Sequence, residues 1–134
     1  TERKNNNMSK LWKKYFDQGL DCARNGQLES SIAYFDRSAK LNPLNSEIVY
    51  NLGTAYLSLG MPEDAIKSFS EAIKIDSNNS DAFANRSIAY AFKGDKHNSD
   101  LDFNLAVKKG VDPKKLRLII DKAIANSISN KESK

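Results

Sequence analysis

Short amphipathic segments alternate with polar turns along almost the whole chain, and their apolar residues recur with a helical period. The first segment begins near Ser9, a suitable N-cap, and the pair Asn25-Gly26 gives a stop signal. The later segments cover about 28–40, 46–59, 62–75, 80–93, 95–109 and 113–128. This pattern predicts an all-α protein of seven helices.

The segments recur at a fixed step of 34 residues, so that five columns of similar residues align over three copies. The columns are Tyr15, Val49 and Phe83; Cys22, Tyr56 and Tyr90; Gly26, Gly60 and Gly94; Phe35, Phe69 and Phe103; and Ser38, Ala72 and Ala106. A fixed period of this length indicates stacked supersecondary units. One unit cannot bury its apolar face alone, so each must pack against its neighbour.

The middle copy, residues 46–79, carries the most regular motif. Its key residues are Leu52, Gly53, Tyr56, Ala65, Phe69 and Ala72. Here the chain resembles the tetratricopeptide repeat family, whose 34-residue helix–turn–helix unit has a W-x₂-L-G-x₂-Y…A-x₃-F pattern. The resemblance implies a right-handed α-solenoid of three repeats and six helices, at about 12–45, 46–79 and 80–113.

The ends of the chain differ from the repeats. Asp112-Pro113 starts a single capping helix at about 113–128, whose expected apolar face is Leu116, Ile119, Ile120, Ala123 and Ile124. A fourth copy would need glycine where Ile128 stands. One domain is therefore expected over 9–128, with a disordered polar segment at 1–8 and a frayed tail at 129–134.

The third copy departs most from the family pattern. Arg86 stands where leucine is usual, Ser87 replaces the glycine, and Asp100 occupies the column of Ile32 and Ile66. These polar replacements predict that the third repeat packs least regularly.

Residues that could catalyse a reaction or bind a cofactor are sparse. The one histidine, His97, lies in a polar helix start and is expected at the surface. The one cysteine, Cys22, occupies the tyrosine column and is expected in the core, and it excludes an internal disulfide and a multi-cysteine metal site. We therefore expect no enzyme, no cofactor and no metal site, and a cytoplasmic setting fits the lone cysteine best.

Charge is unevenly distributed over a chain whose net charge is +4. Residues 46–79 carry 2 basic and 5 acidic groups, a net of −3, whereas residues 113–134 carry 6 and 2, a net of +4. A basic cluster comprises Lys108, Lys109, Lys114, Lys115 and Arg117. It is either a contact for an anionic surface or a solvated helix end; without interleaved aromatic residues, specific nucleic-acid binding is not expected.

The resemblance implies that the first helix of each repeat lines a concave groove that binds peptide segments. Transferred by repeat register, the groove residues are Phe16, Leu20, Tyr50, Asn51, Thr54, Leu57, Asn85, Ile88 and Phe92. The six apolar members are surplus to the core columns and predict an exposed apolar strip, a usual mark of an interaction site. Alternatively, the capping helix or local packing covers part of the strip.

The predicted function is a non-catalytic interaction module, such as an adaptor, co-chaperone or assembly factor, that binds an apolar or amphipathic protein segment. One branch of the family grips acidic chaperone tails with a clamp of lysine, asparagine, asparagine, lysine and arginine. The matching positions are Phe16, Leu20, Asn51, Asp81 and Asn85. Only Asn51 agrees, so binding of such tails is not expected. Two alternatives remain: the chain self-associates as a structural scaffold, or it is an accessory domain of a larger protein. The expected oligomeric state is a monomer or a weak homo-oligomer.

Overall fold

A computed structural model describes the backbone of residues 2–132 and the side chains of residues 9–132. Within this part, seven helices and no strands form an all-α helical repeat solenoid. The helices are α1 (Glu2–Arg24), α2 (Leu28–Leu41), α3 (Ser46–Ser58), α4 (Pro62–Ile75), α5 (Ser80–Lys93), α6 (Lys96–Lys108) and α7 (Pro113–Glu132). None of them is long and apolar enough to cross a membrane.

Local capping chemistry sets most helix ends. Gly60 follows α3 with a φ of 74°, a left-handed conformation that costs glycine nothing, and the amide of Met61 then donates to the carbonyl of Tyr56 at 2.9 Å. The side chain of Asp95 accepts a hydrogen bond from the amide of Asn98, and that of Asp112 accepts one from the amide of Lys114. Both aspartates are therefore N-caps, whereas Ser9, the predicted N-cap of the first helix, lies inside α1.

Two helices are longer than the sequence pattern predicted. α1 begins at Glu2 rather than near Ser9, and α7 continues to Glu132 rather than ending near 128. Neither added segment contains proline or glycine, and extending an existing helix adds one hydrogen bond per residue without a new nucleation step. The expected start of the first helix and the expected end of the last are therefore wrong, whereas the expectations of disorder at 1–8 and of fraying at 129–134 stay predictions; Thr1 and residues 133–134 lie outside the described residues.

Each repeat is a helix pair (α1 with α2, α3 with α4, α5 with α6), and the second helix of a repeat packs on the first helix of the next. The phenylalanine column fixes this packing. Phe35 and Phe69 are fully buried, and a β-carbon placed on Gly19 or Gly53 would lie within 2.7 Å of their rings. Glycine is therefore required where these two rings press against the first helix.

The third repeat is built differently, as its sequence suggested. Ser87 and Ser99 exchange hydrogen bonds between α5 and α6, each hydroxyl donating to the other residue's carbonyl at 2.8 and 2.9 Å. Arg86 forms a two-pronged ion pair with the buried carboxylate of Asp102 at 2.7 and 2.8 Å. Phe103, the equivalent of Phe35 and Phe69, is only half-buried.

The last helix, α7, packs mainly on α5 and only slightly on α6. It buries Leu116 and Ile120 there, with Ala123 half-buried beside them. Ile119 and Ile124 remain exposed, so the predicted apolar face of this helix is wrong at two of its five positions. The reason is that α7 packs mainly on one helix, α5, rather than equally on two.

Candidate functional site

The candidate site is the face of α1, α3 and α5 that carries the nine predicted groove residues, here called the inner wall. Two of its helices, α3 and α5, meet directly, because the side-chain amide of Asn85 on α5 donates to the hydroxyl of Tyr50 on α3 at 2.9 Å. The ring of Tyr50 lies 5.8 Å from that of Phe69. Burial, and secondarily the charge of Asp81, raises the pKa of Tyr50, which therefore stays a neutral hydrogen-bonding group at neutral pH.

The apolar members of the wall are less accessible than the sequence suggested. Phe16 and Ile88 are buried in the core, and the other four are half-buried: Leu20, Tyr50, Leu57 and Phe92. The expected exposed apolar strip is therefore wrong. Two side chains counted as surplus to the core belong to it: Phe16 packs in one cluster with Phe35, and Ile88 packs in another with residues of α7, which the repeat columns did not reveal.

The polar members of the wall are held by their own helix or its neighbour. The side-chain amide of Asn51 donates to the carbonyl of Glu47 at 2.8 Å, and the hydroxyl of Thr54 donates to the carbonyl of Asn51 at the same distance. Thr54 and Asn51 are half-buried. These short internal bonds fix the orientation of the two side chains at the surface of α3.

Charged side chains form the exposed rim of the wall. Lys13, Glu47 and Asp81 occupy one column of the repeat and all three are exposed, as is Asp17 one turn further along α1. Arg24, which the repeat register also places on this wall, is exposed as well, so the rim holds three carboxylates against two cations and has a net charge of −1. The signal was available in the sequence, because the column of Lys13 is acidic in repeats two and three.

The capping helix closes the wall at its repeat-three end. A cavity of 480 Å³ is lined there by Leu57 of α3, by Ile88 and Phe92 of α5, and by Ala123 and Asn126 of α7, among others. The hydroxyl of Ser127 donates to the carbonyl of Phe92 at 2.7 Å and ties α7 to the end of α5. The alternative in which α7 covers part of the apolar strip is therefore the one the structure supports.

The residues considered for chemistry lie apart from the wall. His97 is exposed, as expected, whereas Cys22 is half-buried rather than fully buried in the core. Within residues 9–132, no three histidine, cysteine, aspartate or glutamate side chains gather closely enough to hold a metal ion. Instead, the helices pack side by side and present a polar surface whose rim is acidic.

This geometry defines the class of protein: a helical repeat scaffold of three stacked helix pairs with a further helix at one end. Residues 46–79 match the sequence model of the tetratricopeptide repeat. Together with the fold, this match supports a tetratricopeptide repeat domain protein.

Solved tetratricopeptide repeat domains superpose closely on the chain. The domain of OM64 from Arabidopsis matches with a TM-score of 0.79 at 19% identity, over 87% of this chain and 96% of that one. The second such domain of human RPAP3, solved in complex with the HSP70 peptide SGPTIEEVD, matches with a TM-score of 0.76 at 27% identity, over 87% and 95%. Both structures establish the architecture of the chain, and the RPAP3 complex shows that a domain of this fold binds a peptide.

A curated relative matches over a shorter stretch. The CTR9 homolog of Arabidopsis thaliana is 32% identical over 79 residues, which is 59% of this chain. The match spans only 7% of the length of that protein. It therefore relates the two through their repeats and not through the whole of the larger protein.

Proposed function

We propose that the chain is a non-catalytic adaptor module whose inner wall binds an amphipathic protein segment with cationic flanks. The supporting observation is the combination of half-buried apolar side chains, such as Leu20 and Tyr50, with the exposed carboxylates of Asp17, Glu47 and Asp81. The part of the wall built by α1 and α3 is open to such a segment, whereas α7 closes the repeat-three end. A cationic flank gains from the acidic rim, and an anionic one is repelled.

The same features argue against binding of acidic chaperone tails. Two positions that are cationic in the clamp hold Phe16, which is buried, and Asp81, which has the opposite charge. A tail carboxylate would meet no charged fork that could bind it through two hydrogen bonds, and it would lie near a carboxylate instead. We therefore propose that the partner differs from the peptides bound by the RPAP3 domains. A co-chaperone role and a cytoplasmic location remain part of this proposal.

Peptide selection tests the proposal directly. Random 12-residue peptides displayed on phage are selected on the immobilised chain, and the enriched peptides are synthesised and titrated by fluorescence anisotropy. We expect them to combine apolar residues with lysine or arginine. The double variant Glu47→Lys/Asp81→Lys should weaken their binding about tenfold or more, because it reverses the rim charge.

Glu71→Lys is the matched control, since Glu71 is an exposed carboxylate of the same repeat but lies on α4, away from the wall. It should change the affinity less than about twofold. The peptide SGPTIEEVD should show no saturable binding at micromolar concentration. Enrichment of acidic peptides, or equal weakening by both charge reversals, would contradict the proposal.

Self-association is a second candidate, which the charge distribution favours. The rim of the inner wall is acidic, whereas residues 113–134 carry a net charge of +4, so the α7 end of one copy is complementary to the wall of another. Sedimentation equilibrium at low salt separates the two functions. A dimer that the Glu47→Lys/Asp81→Lys double variant abolishes supports self-association, and a monomer throughout supports the adaptor.

A further inference from the structure

The two halves of α7 contact the rest of the chain in different ways. In the first half, Leu116 and Ile120 are 3% and 1% exposed and belong to the core cluster around α5. In the second half, residues 122–132, all of which the structure describes, no side chain is fully buried, and Ala123 and Ser127 are half-buried. The first half is therefore anchored in the core, whereas the second half rests on the surface of the repeats.

The second half of α7 turns its small and polar side chains toward the repeats. Those that line the hollows beneath it are Ala123, Asn126, Ser127, Ser129 and Asn130. The large apolar side chains of the same half, Ile124 and Ile128, are 40% and 53% exposed. A helix that is docked for stability buries its large apolar side chains, because burial of apolar area supplies most of the docking free energy. This half is therefore weakly docked.

Hollows flank the contact of this half with the repeats. One of 480 Å³ is lined by Leu57, Ile88 and Phe92 of the inner wall, and one of 300 Å³ reaches the turn between α3 and α4 at Gly60. Between them, the hydroxyl of Ser127 donates to the carbonyl of Phe92 at 2.7 Å. Side chains that line a hollow lose the dispersion contacts of a close-packed joint. The second half can therefore detach without opening the core beneath the first half.

The wall beneath this half belongs to the candidate site. Leu57, Ile88 and Phe92 are three of the nine predicted groove residues, and all three line the larger hollow. The wall of repeats one and two, which includes Leu20 and Tyr50, is not among the residues that line it. The inner wall thus has two lengths: a shorter one with α7 in place, and a longer one once residues 122–132 have moved away.

We propose that residues 122–132 form a displaceable lid, which competes with the bound protein segment for Leu57 and Phe92. The lid acts on the wall assigned to peptide binding above, so its role rests on the proposed function. A segment confined to repeats one and two binds with the lid closed, whereas a segment that reaches repeat three must displace it. The apparent affinity of the longer segment is then reduced by the fraction of chains whose lid is open.

Three variants of the full chain shift the lid in known directions. Ala125→Pro opens it, because Ala125 is exposed and lines neither hollow, so proline breaks the helix here without removing a wall contact. Asn126→Leu closes it, because the added apolar side chain fills the larger hollow beside Leu57 and Phe92. Ala125→Leu is the matched control, since it adds the same side chain one position away, where no hollow lies. Thermal melts verify that each variant folds.

Amide hydrogen exchange of the free chain tests the lid without any ligand. Over residues 123–128, which lie short of the helix end, exchange should be about tenfold or more faster than over 116–121, because local detachment costs less than opening the core. Asn126→Leu should slow the exchange over 123–128 about threefold or more. Ala125→Leu should leave it within about twofold of the parent.

Peptide binding tests the competition. The 12-residue phage library is selected on the Ala125→Pro variant, and the enriched peptides are titrated by fluorescence anisotropy. Peptides that move the amide signals of Leu57 and Phe92 should bind the parent about threefold or more weakly than Ala125→Pro, and Asn126→Leu more weakly still. Ala125→Leu should stay within about twofold of the parent. Ser127→Ala, which removes the bond to the Phe92 carbonyl and keeps the helix, is a second open variant.

The outcomes separate the lid from the function on which it rests. Exchange over 123–128 as slow as over 116–121, or equal affinity of such peptides for the open, parent and filled chains, would overturn the lid and leave the proposed function in place. If neither the parent nor any open variant yields a peptide that binds saturably, the proposed function is refuted, and the lid with it.

Discussion

At the scale of single residues, the glycine of each first helix is explained by the ring that it faces. Gly53 lies against Phe69, and a β-carbon there would come within 2.7 Å of the ring. Phe69 is fully buried and cannot move aside. Ser87 is tolerated at the same column of repeat three, because Phe103 is less deeply inserted and Ser99 accepts and donates hydrogen bonds there.

We predict that Gly53→Ala lowers the free energy of unfolding by about 1–3 kcal/mol, because the added methyl group overpacks the joint. The better helix propensity of alanine offsets part of this loss. Urea denaturation followed by circular dichroism measures it. Ser58→Ala, at an exposed position of the same helix, is the control and should be nearly neutral; equal effects of the two changes would show that the ring contact is unimportant.

The ion pair of Arg86 and Asp102 is specific to repeat three, because the equivalent positions of the other two repeats carry no charged residues. The equivalent residues of repeat two are Leu52 and Ser68. Arg86 also donates to the hydroxyl of Ser70 at 3.0 Å, so one guanidinium group joins α4, α5 and α6. The hydrogen bond to Asp102 is the largest cause that raises the pKa of Arg86, which remains charged throughout the accessible pH range.

We predict that Arg86→Leu destabilises the chain by about 3–5 kcal/mol, because it leaves the buried Asp102 without its partner. The double variant Arg86→Leu/Asp102→Ser, which restores the pair found in repeat two, should recover most of that loss. Chemical denaturation of the two single variants and the double variant gives the coupling free energy. Additive effects would mean that the pair does not act as a unit.

At the scale of secondary structure elements, α7 has two roles that follow from its position. It buries Leu116 and Ile120 against α5. Without α7, the apolar face of α5 at this end of the solenoid would be exposed to solvent. It also closes the repeat-three end of the inner wall through Ala123 and Ser127. The stability of the domain and the length of its binding surface are therefore set by the same helix.

Deletion of residues 113–134 should lower the melting temperature by about 10 °C or more. Burial of each large apolar side chain contributes about 1.5–3 kcal/mol, and each kcal/mol shifts the midpoint by several degrees in a domain of this size. Differential scanning calorimetry and light scattering provide the measurements. A shorter deletion of residues 129–134 should have little effect, and a fully truncated chain that stays monomeric and melts within a degree or two of the parent would refute the capping role.

At the scale of the whole molecule, opposite charges lie at different surfaces. The inner wall is rimmed by carboxylates, and the α7 end is basic. Two of the five residues in the basic cluster lie over aromatic rings: Lys109 is 5.4 Å from the centre of Phe83, and Arg117 is 4.2 Å from that of Phe103. These contacts hold two of the cations at the protein surface and give the cluster a structural role.

We predict that the basic cluster binds nucleic acid only weakly and without sequence preference. A labelled 20-nucleotide RNA should bind measurably at about 50 mM salt and lose its affinity by about 200 mM, as counterion release requires. Anisotropy titrations at several salt concentrations are the measurement, with a second RNA of shuffled sequence as control. Sequence-selective binding below micromolar concentration at about 150 mM salt would contradict the assignment of the chain as a protein adaptor.

The sequence by itself determined the class of fold, the three repeats and nearly every helix boundary. These depend on local interactions: the helical period of apolar residues, the left-handed glycines such as Gly60, and the caps Asp95 and Asp112. Local interactions act between residues a few positions apart and are therefore visible in a single sequence. The unusual character of repeat three was also visible, in Arg86 and Ser87.

Only the tertiary structure decided which apolar side chains the wall leaves accessible and where α7 lies. Phe16 and Ile88 have the spacing of surface residues in one helix, and they are buried because a neighbouring helix covers them. α7 presents apolar residues on several sides, so its sequence is compatible with packing on α5, on α6 or on both. Contacts between helices, which the sequence of one helix does not reveal, decide that α7 packs mainly on α5. In that position α7 covers the repeat-three end of the inner wall and leaves much of α6 uncovered.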